Sequence, residues 1–167
     1  YAARSELGGG VLLTQIHQID YLNWLFGPFL SVYAVSVECS GLRIPVEGNV
    51  SYILKNSEGV AVYGHVDYLQ RPRRMTLDIL GSRHSATWDY YKGTLDLFSS
   101  TEPSESMRDQ VAFDRNAMFQ NELSDFLHAI VTGTSPRSGL RDGYQAVVLV
   151  DAIKDSIATG SEIRINQ

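Results

Sequence analysis

The sequence predicts an α+β fold: a mostly antiparallel open sheet with helices on one face. Three observations predict it. Apolar residues recur every three to four positions in residues 14–26 and again in the last third of the chain. From Phe29 the period becomes two, and Val, Ile, Tyr and Thr dominate a run of short segments. Strands and helices are therefore segregated along the chain, which indicates α+β rather than βαβ units.

Each element follows in order. Gly8-Gly9-Gly10 is a flexible entry. Residues 14–26 read as a helix with Ile16, Ile19, Leu22 or Asn23, and Phe26 on one face, Thr14 as N-cap and Gly27-Pro28 as the stop. Residues 29–39, 48–55, 60–69, 75–81, 85–90 and 93–98 read as strands. Asn56-Ser57-Glu58-Gly59 and Lys92-Gly93 supply hairpin turns. Arg71-Pro72-Arg73 interrupts the pattern as Pro does at a strand end or edge. Residues 99–114 are polar and read as a surface loop. Phe119, Leu123, Phe126, Leu127 and Ile130 form the apolar face of a helix stopped by Gly133. Ala146, Leu149, Val150, Ile153 and Ile157 form that of another, ending at Gly160, and residues 162–166 close the chain as a strand. Neither 29–39 nor 60–69 has a clean polar side. A sheet apolar on both faces, with helices for only one, needs a second cover. A subunit interface is the expected cover; the loop 99–114 or a segment outside the chain is the alternative.

Composition narrows the function. A chain of 167 residues with 44% hydrophobic content is expected to form one domain with a sizeable core. Its net charge of −5 argues against nucleic acid as a partner, since phosphate binding needs a basic face. The single cysteine, Cys39, excludes an internal disulfide and a multi-cysteine zinc site, and its apolar strand favours burial over a nucleophilic role. No apolar run of about 18 residues exists to span a membrane. No signal peptide is visible behind Tyr1, so a cytoplasmic location is expected, and the start without Met suggests a processed or cut chain.

The densest chemical constellation is His17, Asp20, Tyr21 and Trp24, at helical spacing on one face. Imidazole titrates near neutral pH, so His17 with Asp20 as its orienter suits general acid–base work. Spacing alone favours the plainer reading of a satisfied His and a solvated Asp. The triple glycine is not a dinucleotide fingerprint, because Leu13 stands where the third Gly of G-x-G-x-x-G belongs. A packing turn is favoured over a phosphate cradle. His65 and Asp67 share one side of a strand and could face a ligand or a partner; an interface or core pair is the simpler reading. Arg71, Arg73 and Arg74 could grip an anionic substrate group, or form a solvated strand-end cluster. The histidines lack metal-ligand spacing, so no metal site is expected, and no G-x-S-x-G elbow is present.

The run from Gly8 to Gly27, GGGVLLTQIHQIDYLNWLFG, resembles the start of the C-terminal domain of the glucose–fructose oxidoreductase / inositol dehydrogenase (Gfo/Idh/MocA) family. Arg74 to Gly81 with Thr87-Trp88-Asp89 resembles its strand pair. Met118 to Ile130 and Ser138 to Ile163 resemble its last two helices. The resemblance implies an NAD(P)-dependent oxidoreductase acting on a sugar, cyclitol or sugar derivative. NAD or NADP would bind an N-terminal Rossmann domain absent from this chain, which also holds a catalytic Lys; no cofactor-binding residue is expected here. Residues 1–167 would be a single substrate-binding and oligomerisation domain, forming a dimer or tetramer through the open sheet face and inactive alone. His17 matches the family's proton-transferring His, with Thr14, Asp20, Arg71 and Arg73 as candidate substrate contacts. Thr14 stands where many members carry Asp. The alternative is a non-catalytic sugar- or protein-binding module on the same scaffold.

Overall fold

The period-two segments fold as strands and the helical segments as helices. A computed structural model describes residues 1–38, 41–101, 107–110 and 114–166. The chain divides into two compact units, Tyr1–Leu69 with Arg137–Gln167, and Gln70–Pro136.

In the first unit, helices α1 (Val11–Thr14) and α2 (Ile16–Phe26) precede strands β1 (Phe29–Ser36), β2 (Asn49–Asn56) and β3 (Ala61–Asp67). The long helix α4 (Leu140–Thr159) and the short strand β8 (Ile163–Arg164) complete it. The sheet order is β3-β2-β1-β8, with every pair antiparallel. Alternation decides the two faces. Val32, Ala34, Val50, Tyr52, Leu54, Val62 and Val66 are buried, together with Leu149, Val150 and Ile153 of α4 and Ile19 and Leu22 of α2. Helix α4 packs on β1 and on α2. Each fully buried aliphatic side chain contributes roughly 1.5–3 kcal/mol, so this side of the sheet carries the core. Gly64 stands opposite Tyr52, and a β-carbon there would collide with the Tyr52 ring.

The other face stays open. Tyr33, Val35 and Tyr63 are 42%, 45% and 78% exposed. The Asn56–Gly59 turn forms as expected, with the Asn56 side chain accepting the Glu58 and Val60 backbone N–H groups.

Two expectations are corrected here. Thr14 does not cap a helix. The chain turns helical earlier, at Val11, and breaks at Gln15, so Thr14 ends α1 and its hydroxyl bonds back to the Gly10 carbonyl. Strand β1 ends at Ser36 rather than at 39. Cys39 lies outside the described residues.

In the second unit, β4 (Thr76–Leu80), β5 (His84–Asp89), β6 (Thr94–Ser99) and β7 (Met107–Gln110) form an antiparallel meander, followed by α3 (Arg115–Thr132). Strand β7 lies within residues expected to be loop. It pairs with β6, and the Arg108 guanidinium holds both oxygens of Asp96 across the ladder, which its polar sequence concealed. Thus the expected sheet is divided into two four-stranded sheets. Helix α3 is capped by Asp114, whose side chain accepts the Asn116 N–H, and stops at left-handed Gly133. Its apolar stripe forms but is not buried: Phe119, Leu123, Phe126, Leu127 and Ile130 are all exposed. Among the described residues no helix is long and apolar enough to cross a membrane.

One buried polar residue ties α4 to the sheet. Strand β8 pairs with Ser31 and Val32, and Ile165 N–H continues the ladder to Leu30 O. The Ala34 N–H further along β1 is taken instead by Ser156 Oγ at 2.9 Å, and that hydroxyl donates to the Ser161 carbonyl at 2.6 Å. Ser156→Ala strands both backbone groups and is expected to lower stability by roughly 1–3 kcal/mol in urea unfolding. An unchanged midpoint would show that neither bond matters.

Candidate functional site

The site begins with a close backbone approach. Gly9 N–H bonds Arg4 O and Gly10 N–H bonds Ala2 O, each at 2.9 Å. A β-carbon on Gly9 would meet those two carbonyl oxygens, and one on Gly10 would collide with the Glu47 carboxylate. Gly10 also takes φ +109°, which side-chain-bearing residues rarely adopt. Val11 N–H then bonds Glu47 O at 2.9 Å, fixing the start of α1. The triple glycine is a packing turn, as its sequence suggested.

Thr14 is held by the same region. Its hydroxyl lies 2.9 Å from Gly10 O and 2.7 Å from the Tyr68 hydroxyl, which is 3.3 Å from Ala2 O. Tyr68 follows β3 on the helix-covered side of the strand. The motif reading missed it, although the same alternation that places Val62, Gly64 and Val66 there also places Tyr68. Partial burial raises the Tyr68 pKa, so it stays a neutral phenol.

Helix α2 turns its first residues outward. His17 and Trp24 are exposed, the latter by 81%, while Asp20 and Tyr21 are half-buried. Neighbouring atoms strip enough water from the His17 ring to lower its pKa below the ordinary 6.5, so the neutral imidazole dominates at neutral pH. Asp20 is pushed the other way, by desolvation first and then by Asp142 in the first turn of α4. Among the described residues no hydrogen bond or ion pair joins His17 to Asp20. Arg71, Arg73 and Arg74 are exposed and belong to the second unit, whereas Thr14, His17 and Asp20 belong to the first. His65 and Asp67 come together with Ser51 on the open sheet face.

The donor set does not suit a dinucleotide. The Glu47 carboxylate lies against the glycine turn, with one oxygen buried and lacking a hydrogen-bond partner. A pyrophosphate there would meet an anion in place of free N–H groups. Among the described residues no three His, Cys, Asp or Glu side chains are grouped to hold a metal ion.

Comparison with known proteins places this arrangement. The sequence model of the Gfo/Idh/MocA oxidoreductase family, C-terminal alpha/beta domain, matches residues 2–165. No curated protein matches the sequence. Among solved structures, levoglucosan dehydrogenase in complex with NADH and levoglucosan superimposes with a TM-score of 0.84 at 22% identity, covering 96% of this chain and 51% of that one. An NAD binding oxidoreductase from Klebsiella pneumoniae gives 0.86 at 12% identity, covering 99% and 54%. The WlbA dehydrogenase from Bordetella pertussis, in complex with NADH and UDP-GlcNAcA, gives 0.66 at 20% identity, covering 95% and 46%. The chain thus spans about half the length of these structures.

Tyr68→Phe removes the hydroxyl that ties β3 to Thr14. The expected result is a loss of about 0.5–1.5 kcal/mol in chemical unfolding. Full stability in the variant would show that Thr14 needs no partner from the sheet.

Proposed function

Because the chain belongs to the Gfo/Idh/MocA oxidoreductase family, as its C-terminal alpha/beta domain, we propose that it is the substrate-side and oligomerisation half of an NAD(P)-dependent dehydrogenase of a sugar, cyclitol or sugar derivative. The observation that carries the reading is an exposed His17 with a lowered pKa, on the helix that the glycine turn aligns. Nicotinamide chemistry is outside this chain's residues and would be supplied by a dinucleotide-binding domain. By itself the chain is expected to show no dehydrogenase turnover.

In this reading His17 accepts the proton of a substrate hydroxyl as that carbon is oxidised, and returns it in the reverse direction. A neutral ring at working pH suits the acceptor role. Asp20, partly desolvated, offers an oxygen to a neighbouring substrate hydroxyl. The Thr14 hydroxyl is engaged by Gly10 and Tyr68, so its part is to hold the start of α2 rather than to replace a carboxylate.

The second sheet face supports the oligomerisation half of the reading. Exposed Tyr33, Val35 and Tyr63 on a sheet already covered on its other side fit a patch closed by a second copy.

His17→Asn, in the protein joined to a dinucleotide-binding domain, is expected to lower turnover by about two to four orders of magnitude. Unchanged turnover would remove His17 from the chemistry. Sedimentation at micromolar concentration is expected to find a dimer or tetramer; a strictly monomeric species would contradict the role given to the open face.

A further inference from the structure

Ser51, His65 and Asp67 form a hydrogen-bonded array on the open sheet face, and the proposed redox chemistry does not use it. Strand register explains their meeting. Ser51 on β2 stands directly opposite His65 on β3, and Asp67 follows two residues later on the same face. Ser51 Oγ lies 2.9 Å from His65 Nδ1, and Nε2 lies 3.3 Å from Asp67 Oδ2. The other Asp67 oxygen accepts the Leu69 backbone N–H. The array is continuous with the apolar patch. Ser51 also stands opposite Val35 on β1, and Tyr63 precedes His65 by two residues on the same side. Ser51 and His65 share a shallow hollow of about 400 Å³ with Tyr33, Val35 and Tyr63. A second copy that closes the patch therefore takes the array out of water.

Charge decides what that burial costs. With a neutral ring the three side chains carry one negative charge; with a protonated ring they carry none. The Asp67 side chain is only 10% exposed, whereas His65 at 51% still faces water. Closing the face strips that water and leaves a neutral ring beside an unneutralised carboxylate, which is costly in a dry contact. A proton on the ring removes the cost. Nε2–H then donates to Asp67 and Nδ1–H to Ser51 Oγ, in the positions these atoms already occupy. Among the described residues, the other charged side chains of this face are Lys55, Glu162 and Arg164. They gather at the far end, in the row of Ser31, where Glu162 accepts from both Lys55 and Ser31. The row Tyr33–Ile53–Tyr63 separates them from the array.

Resting on the closure of this face by a second copy, we propose that assembly takes up protons. Each copy's Ser51–His65–Asp67 array enters the contact in its protonated, uncharged form. The assembled state then binds more protons than the free chains, so self-association tightens as pH falls through the range in which imidazole titrates. A two-fold contact holds two such arrays, and their effects multiply.

Sedimentation equilibrium of the whole chain at about pH 7.5 and about pH 5.5, at fixed ionic strength, reads the dissociation constant. It is expected to fall by about tenfold or more on acidification. The net charge of −5 also shrinks on acidification and eases contact between copies, so the variants decide. His65→Gln keeps a polar side chain that takes up no proton, and should lose most of the dependence. Asp67→Asn keeps an oxygen for the Leu69 N–H but leaves a protonated ring without its counter-charge, so acidification should favour assembly even less than in His65→Gln. A dissociation constant unmoved by pH, or one that falls as steeply in His65→Gln, would overturn this inference and leave the oligomerisation reading intact. A chain that stays monomeric at both pH values would overturn that reading, and this inference with it.

Discussion

Gly9 and Gly10 bring the entering backbone so close to Ala2, Arg4 and Glu47 that no β-carbon fits between them. The site in the first unit depends on this contact. It sets Val11 N–H against Glu47 O, which starts α1, and it leaves the Gly10 carbonyl for Thr14. Thr14 in turn meets Tyr68 from the end of β3. Helix α2 begins two residues after Thr14, and its Ile19 and Leu22 are buried. With that face committed to the core, the face bearing His17 and Trp24 must point outward. A substitution at either glycine therefore acts on His17 through the backbone, without touching the ring.

The sheet of the first unit has two different faces, one turned to the core and one left open. The inner face holds the core and receives α4, with Ser156 satisfying a strand N–H that the short β8 leaves over. The outer face carries Tyr33, Val35 and Tyr63, with Ser51, His65 and Asp67 toward one corner, on edge strand β3 and its neighbour. An apolar centre with a polar, hydrogen-bonded corner is compatible with contact to a second copy.

Much of the fold was legible because alternation is a direct record of burial. The period-two segments became β1 to β6, and Gly133 and Gly160 ended their helices in the left-handed conformation that glycine permits. What stayed illegible depended on contacts far apart in sequence. The break at Gln15 reflects Thr14 bonding back to Gly10, and Thr is an equally good N-cap by local rules. Strand β7 was hidden because its polar residues are held by a cross-strand ion pair rather than by burial. The stripe on α3 was legible as one apolar face, but its spacing specifies only that the residues share a face, not that another element covers them. His17 was visible through its motif, whereas Tyr68 needed the alternation of β3 to be carried past the strand's end. His65 and Asp67 were visible as a pair, but Ser51 joined them only through the β2–β3 register.

The central claim is that the outward imidazole of α2 handles the substrate proton. The pH dependence of kcat/KM for polyol oxidation, in the protein joined to a dinucleotide-binding domain, tests it most directly. A proton acceptor must be neutral to work, and neighbouring atoms that partly desolvate the exposed His17 ring lower its pKa from 6.5. Activity should therefore hold through neutral pH and fall on acidification with an apparent pKa below that value, and this acidic limb should vanish in His17→Asn. The same acidic limb in His17→Asn at wild-type rates would contradict the claim.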